Sequence, residues 1–491
     1  MPPSITLLGL GPGGVELLTR QAWQVLEECS EIYLRTRHHP TTASLPEHLV
    51  VHSFDHLLEE NASLDAASAA LVEQVLALGR RPQGVVYAVP GHPFMAEATS
   101  PQIAQRARQE GLPVRIVEGL SFLEPTFTAL GLDLLPHTAL LDALLLAEAH
   151  TPPFPPDAPA IITQIHSQAI ASEVKLTLLE VYPGEHPVQF VHAAGTPQQS
   201  IENLRLCEMD RSPQVGLLTS LYLPPLGPGT SFEAFQEIIA HLRAPNGCPW
   251  DRKQDHQTLR NNLLEETYEV LTALDADNPA GMCEEFGDLL LQIVLHAQIA
   301  NEYGEYRMAE VIQHIHDKIV RRHPHVFASL EVDGVEHVLK NWDQIKAAER
   351  EAAKEGDNPP KGLLDGVALA LPALSQAVEY QARAARTGFE WPQVQDVVDK
   401  ICEECQEFSE ATDAAGRAYE IGDLFFALSN LARRYNIDAE SALRQANARF
   451  KRRFDHIDQT ARRQGKAVSD FTLDEMLALW QEAKAHAASL R

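Results

Sequence analysis

Glu265-Glu266-Thr267-Tyr268-Glu269 and, further on, Glu285-Phe286-Gly287-Asp288 carry the spacing most suggestive of chemistry in this chain. Residues three apart share a helix face, so Glu266 and Glu269 project together, as do Glu285 and Asp288. Two such helices packed antiparallel bring four carboxylates into one small volume. Four like charges there need compensation. A hard divalent cation supplies it, since Mg²⁺ takes oxygen ligands, retains some water and binds phosphate oxygens. The same quartet returns as Glu404, Glu407, Glu420 and Asp423. Glutamates at helical spacing more often form a solvated face. Against that reading, Asp288 precedes Leu289-Leu290-Leu291 and Asp423 precedes Leu424-Phe425-Phe426. Gly287 and Gly422 also hold matching mid-helix places, where glycine costs about 1 kcal/mol relative to alanine, and so predict close packing.

Basic residues complete the pattern. Lys318 and Arg322 lie four apart on one helical face, and so do Arg449 and Arg453. Such cations neutralise a triphosphate and stabilise the charge that develops on leaving pyrophosphate. Without the quartet they would read as ordinary surface charge. Each copy then closes on Trp and Lys, as Trp342…Lys346 and Trp480…Lys484, and matching positions stay about 135 residues apart. A spacing that long is a duplicated domain and not a solenoid repeat.

The elements that must position these residues divide the chain into three. Up to residue 225, apolar runs alternate with helical stretches such as Leu17 to Cys29 and Ser100 to Glu110. Ile5-Thr6-Leu7-Leu8, Val85 to Val89, Val114 to Val117, Ala160-Ile161-Ile162 and Val215 to Leu218 read as buried strands, so a largely parallel α/β domain is predicted. Leu223 to Gly229 reads as a linker, because Pro and Gly stop helix and strand alike. All-helical modules are predicted over 230–355 and 362–491, parted by the Pro/Gly-bearing stretch Glu355 to Gly362.

The helical half resembles the long, tandem form of the MazG family of nucleoside triphosphate pyrophosphohydrolases, from about Phe232 to Lys484. The resemblance rests on Gly247-Cys248-Pro249-Trp250-Asp251, Leu264 to Glu269, Arg321-Arg322-His323-Pro324-His325-Val326-Phe327 and Ala446-Asn447-Ala448-Arg449-Phe450. It implies a fold usually found as a dimer, a quartet that binds Mg²⁺, and water attack on a triphosphate that yields a monophosphate and pyrophosphate. Glu404 and Glu407 are then candidates for handling the water, beside the cations Arg449, Arg453, Lys318 and Arg322. Asn447 and Trp480 become substrate contacts. The first copy has His316 where the second has Asn447, which favours the second copy as the active one without excluding the first.

In the first domain, Leu8-Gly9-Leu10-Gly11-Pro12-Gly13-Gly14 follows a strand, and Val89-Pro90-Gly91-His92-Pro93 forms a second strand-to-loop junction. Glycine lets a ligand approach backbone closely, and open α/β sheets bind ligands at the C-terminal ends of their strands. The glycines do not match a nicotinamide fingerprint, and a plain tight turn is the competing reading. With Glu118 to Phe122 and Gly195 to Gln199, these loops resemble the tetrapyrrole (corrin/porphyrin) methylase family over residues 4 to 223. That implies a two-lobed, usually homodimeric domain binding S-adenosylmethionine, with Gly11, Gly13, Gly91, Pro93, Ser121 and Gly195 as contact positions. His92 stands where the family commonly has an acid, which puts the methylation itself in question.

A formal charge of −28 disfavours DNA, RNA and anionic membrane as partners. No apolar run is long enough to span a bilayer, and Met1 to Ile5 lacks the basic and apolar regions of a signal peptide. Six cysteines without framework spacing fit a reducing compartment, and Cys402-Glu403-Glu404-Cys405 lies in a helical pattern unsuited to a redox motif. A cytoplasmic, homodimeric hydrolase is the expectation, with dimer contacts in both the helical and the methylase-like parts. The alternatives are a methyltransferase acting on a tetrapyrrole-like acceptor, with the helical half sensing nucleotide, and a sensor without turnover.

Overall fold

The computed structural model describes residues 3–60, 64–135, 137–330 and 362–489, with 332–335, 337, 338, 341, 342, 344, 345 and 349 between them. Lys346 and residues 355–361 of the expected divider lie outside the described residues. By its contacts the chain forms two units, Met1–Cys248 and Pro249–Arg491. The boundary expected near residues 225–230 falls inside the first unit.

That unit holds two sheets. The first runs β3-β2-β4-β1-β5, with β1 Ile5–Gly9, β2 Glu31–Leu34, β3 Val50–Ser53, β4 Val85–Val89 and β5 Val114–Val117, all neighbours parallel. Strand side chains alternate between faces. Accordingly Ile5, Leu7, Val85 and Tyr87 join one core, while Leu8, Leu10 and Ala88 join the core on the other face. Helices α1 Arg20–Glu28, α2 Asp55–Glu60, α3 Leu64–Gly79, α4 Thr99–Gln109 and α5 Leu123–Leu130 lie between or after these strands.

The second sheet, β6-β7-β10-β8-β9, comprises β6 Ala139–Asp142, β7 Ala160–Thr163, β8 Pro187–His192, β9 Ser200–Arg205 and β10 Thr219–Leu223. Only β6 and β7 pair in parallel; the other three pairings are antiparallel. The expectation of a largely parallel sheet therefore holds for the first lobe alone. Val215 to Leu218 is not a strand. It forms the turn before β10, and Leu217 is 82% exposed. Helices α6 Ala143–Glu148 and α7 Gln168–Leu179 cover this sheet.

The linker Leu223 to Gly229 is anchored to this lobe, since the Leu226 N–H donates to the Pro156 carbonyl at 2.8 Å. Ser231 Oγ meets Asp157 Oδ2 at 2.6 Å and caps α8, Phe232–Arg243.

The second unit is helical. Its first copy contains α9 Arg260–Asp275, α10 Pro279–Tyr303, α11 Met308–Arg322 and α12 Pro324–Phe327. Its second contains α13 Ala373–Ala385, α14 Val394–Glu410, α15 Ala414–Arg434, α16 Ala439–Arg463 and α17 Leu473–Ser489. Each copy is built on a hairpin, α9 against α10 and α14 against α15. Asn278-Pro279 starts α10 because proline needs no N–H at a helix's first turn, and Gly304, at φ +71°, ends it. Asp413 starts α15 by accepting from the Gly416 N–H at 2.7 Å. No helix among the described residues is long and apolar enough to cross a membrane.

Candidate functional site

Both hairpins bring their acids together. In the first copy, oxygens of Glu266, Glu285 and Asp288 all lie within 4.8 Å of one another. Glu269 lies close enough for its charge to act on both Glu266 and Glu285. Burial, then the charges of Asp288 and Glu269, raise the Glu266 pKa above its ordinary value. Burial raises that of Glu285 likewise, helped by Glu269, Glu284 and Asp288. These groups repel one another, and a cation between them would relieve that repulsion.

The second copy repeats the cluster with Glu404, Glu420 and Asp423 within the same 4.8 Å limit. Burial and the charges of Glu407, Glu404 and Asp423 raise the Glu420 pKa, so the Glu407 charge acts on this cluster too. Glu404 is only 4% exposed, and its Oε2 has no hydrogen-bond partner among the described residues. A carboxylate oxygen buried without a donor is costly unless something positive meets it. Eight hard oxygen-bearing side chains in two clusters, one with an orphaned buried oxygen, suit a divalent cation such as Mg²⁺.

The cations proposed from the sequence stand elsewhere. Arg322 and Arg321 both pair with Glu349, at 2.7 Å, and hold its carboxyl down at about 2. Arg453 lies over the Trp480 ring, 5.3 Å from its centre, and Phe450 packs on the same ring. Asn447 and Arg449 are exposed and Lys318 is half-buried. None of Lys318, Arg322, Arg449 and Arg453 makes an ion pair with a quartet acid among the described residues. Among the described residues, the cation that pairs with a quartet acid is Lys400, whose Nζ lies 2.8 Å from oxygens of both Glu403 and Glu404. The helical spacing K-x-x-E-E could have disclosed it.

The mid-helix glycines correct another expectation. A Cβ at Gly287 or Gly422 would meet no atom within 4 Å, so neither marks close packing inside the chain. Both are exposed, beside Phe286 and Phe425 at 50% and 52% exposure. They lie on faces that the hairpin partner does not cover.

In the first unit the loops carrying Gly11, Gly91, Gly119 and Gly195 converge. Gly11 and Gly91 pair backbone to backbone, at 3.2 and 2.7 Å. A Cβ on Gly13 would fall 1.8 Å from the Gly195 carbonyl oxygen, and one on Gly9 would fall 2.6 Å from the Gly119 nitrogen. Several glycines therefore serve loop-to-loop packing. Gly91 differs, because its Cβ would have nothing nearer than 3.9 Å and its φ is +69°, leaving backbone open to a ligand. Pro93 is buried beside it. Ser121 Oγ accepts from the Leu123 N–H and pairs with Glu124, so it is spent on starting α5.

Two residues under the glycine turn went unread in the sequence. The Thr41 hydroxyl donates to the Gly13 carbonyl at 2.9 Å, and His39 Nε2 lies 3.0 Å from the Gly11 carbonyl. His39 is 8% exposed and its Nδ1 has no partner among the described residues. A polar run, His38-His39-Pro40-Thr41, was their only signal.

Comparison with known proteins follows this division. The MazG nucleotide pyrophosphohydrolase domain matches residues 254–327, and the tetrapyrrole (corrin/porphyrin) methylases match residues 4–210. The uncharacterized protein YabN of Bacillus subtilis (strain 168) is 40% identical over 99% of this chain and 99% of its own length. The nucleoside triphosphate pyrophosphohydrolase/pyrophosphatase MazG of Thermotoga maritima is 39% identical over 52% of this chain and 96% of that protein. The nucleoside triphosphate pyrophosphohydrolase of Escherichia coli (strain K12) is 40% identical over 50% of this chain and 94% of that protein.

Proposed function

Because the chain belongs to the tandem MazG family, carrying a tetrapyrrole methylase-like domain at its N-terminal end, we propose that it hydrolyses nucleoside triphosphates to monophosphates and pyrophosphate with Mg²⁺. The observation that carries this reading is the pair of acid clusters, each with three carboxylates inside 4.8 Å. Glu266, Glu269, Glu285 and Asp288 would hold one cation set, and Glu404, Glu407, Glu420 and Asp423 the other. A bound Mg²⁺ supplies Lewis-acid polarisation of phosphoryl oxygens. The quartet's remaining carboxylate oxygens accept a proton from water as its oxygen bonds to the α-phosphorus. The bond from that phosphorus to the α–β bridging oxygen breaks, and pyrophosphate leaves with the electron pair. Lys318 and Arg322, or Arg449 and Arg453, neutralise the departing group, Arg322 after leaving Glu349 and Arg453 after leaving the Trp480 ring. Asn447 and Trp480 hold the nucleotide.

In the first unit, the open side of Gly91 and the meeting of four loops support an S-adenosylmethionine site at Gly11, Gly13, Gly91, Pro93 and Gly195. Ser121 contributes through the loop it fixes. The exposed apolar faces beside Gly287 and Gly422 support a homodimer.

The test is a panel of ribo- and deoxyribonucleoside triphosphates incubated with the full chain and Mg²⁺, with products resolved by phosphorus NMR. Monophosphate plus pyrophosphate is expected. Glu404→Gln and Asp423→Asn, with helicity checked by circular dichroism, should reduce turnover on the order of 10²–10⁴-fold. Orthophosphate as first product, or full activity when both quartets are substituted, would refute the assignment.

A further inference from the structure

The two quartets share four acids but not their surroundings. Lys400 lies one turn before Glu404 on α14, and the same spacing that relates Glu266 to Glu404 places Asn262 opposite Lys400 in the first copy. In the second copy the ammonium holds Glu404 Oε1 at 2.8 Å and Glu403 Oε1 at 2.8 Å. The Glu404 side chain is 5% exposed and Lys400 34%, so the pair sits at the rim of the cluster with the acid inside. Glu404 Oε2, also buried, is left without a hydrogen-bond partner among the described residues. The first copy has the neutral Asn262 in this position and no basic side chain.

We propose that Lys400 is a positioning residue that makes the two centres unequal toward divalent metal. It fixes Glu404 with one oxygen engaged and the other free for the cation. It also offsets one of the four negative charges that draw the cation in. The second copy therefore binds bare divalent metal more weakly than the first, and the first fills at metal concentrations that leave the second largely open. This rests on the metal reading of the quartets given above. Coulomb attraction over a few ångströms in a partly screened site makes one added unit charge worth about tenfold or more in affinity.

The experiment is a Mn²⁺ titration of the full chain without nucleotide, followed by electron paramagnetic resonance of the free ion. Two classes of site are expected, at least about tenfold apart. Glu266→Gln with Asp288→Asn should remove the tighter class, and Glu404→Gln with Asp423→Asn the weaker. Lys400→Asn should tighten the weaker class by about tenfold, and Asn262→Lys should loosen the tighter class to a similar extent. Asn262→Lys leaves the buried Glu404 untouched, so it decides the matter even if Lys400→Asn unfolds. A single class of sites, or two classes that neither exchange moves, overturns the inference while the metal reading stands. Mn²⁺ binding indifferent to all four acid substitutions overturns the metal reading itself.

Discussion

Gly13 occupies a place no side chain can share, because its Cβ would lie 1.8 Å from the backbone oxygen of Gly195. Backbone cannot swing aside as a flexible side chain can, so Gly13→Ala must part the two loops. Gly91→Ala meets nothing nearer than 3.9 Å and bears only the left-handed conformation, about 1–2 kcal/mol. Calorimetric titration with S-adenosylmethionine should therefore show Gly13→Ala losing binding tenfold or more, with a lowered melting temperature. Wild-type affinity in Gly13→Ala would mean that this junction does not shape the cofactor site. Residues of this kind are legible only in part. The glycines advertised themselves through φ freedom, and the quartet through helical spacing. His39 and Thr41 stayed hidden because their roles depend on a long-range approach to the Gly11–Gly13 backbone. Lys400 was readable beside Glu404, yet charge on an amphipathic helix is so common that spacing alone did not single it out.

At the scale of elements, α10 does two jobs. One end supplies Glu285 and Asp288, and further along it presents His296 to the segment that precedes α9. His296 Nδ1 lies 2.8 Å from His256 Nδ1 with ring planes 9° apart. Stacked rings would keep atoms at about 3.5 Å or more. The two therefore meet edge to edge, one Nδ1–H donating to the other's lone pair. Glu305 stands 3.7 Å from the outer nitrogen of His256. Burial, and then the neighbouring His256, lower the His296 pKa from 6.5. A lowered histidine takes up its proton more readily in the unfolded chain. Its contribution is complete above 6.5 and is lost as pH falls through that value toward the depressed one. Melting curves between about pH 8 and 5.5 should show the parent losing stability more steeply than His296→Gln, which lacks the titrating ring. Parallel curves would remove His296 from the account. Strong apolar runs disclosed β1, β4, β5 and β7, whereas β9, with alternate residues exposed, and β3, at a sheet edge, carry too little buried surface to stand out. The Val215 to Leu218 error arose from the same rule, since an apolar run can also cap a turn with its leucines in solvent.

At the scale of the whole chain, the apolar surface is unevenly spread. Leu264, Phe286, Leu290 and Ile293 in the first copy, with Phe425, Phe426 and Leu428 in the second, are each between 38% and 55% exposed. Scattered apolar residues need no explanation, but several on consecutive turns of the quartet hairpins form the kind of patch that another subunit covers. Periodicity showed these faces as apolar without showing that the chain itself leaves them open. Two relatives named as pyrophosphohydrolases align with about half of this chain over nearly their whole length, so the helical half has counterparts without the methylase-like part. Its contacts also close on themselves from Pro249 onward. Residues 249–491 expressed alone should accordingly run as a dimer by light scattering and keep kcat/KM for triphosphates within a few-fold of the full chain. Leu290→Glu with Ile293→Glu should yield monomers, since two charges buried per subunit at a packed face would be left unpaired. If the fragment folds and dimerises yet has lost hydrolysis, the first unit contributes to the reaction and the two activities cannot be independent. If it stays monomeric with full activity, the exposed hairpin faces serve some contact other than self-association, and each quartet is complete within one chain.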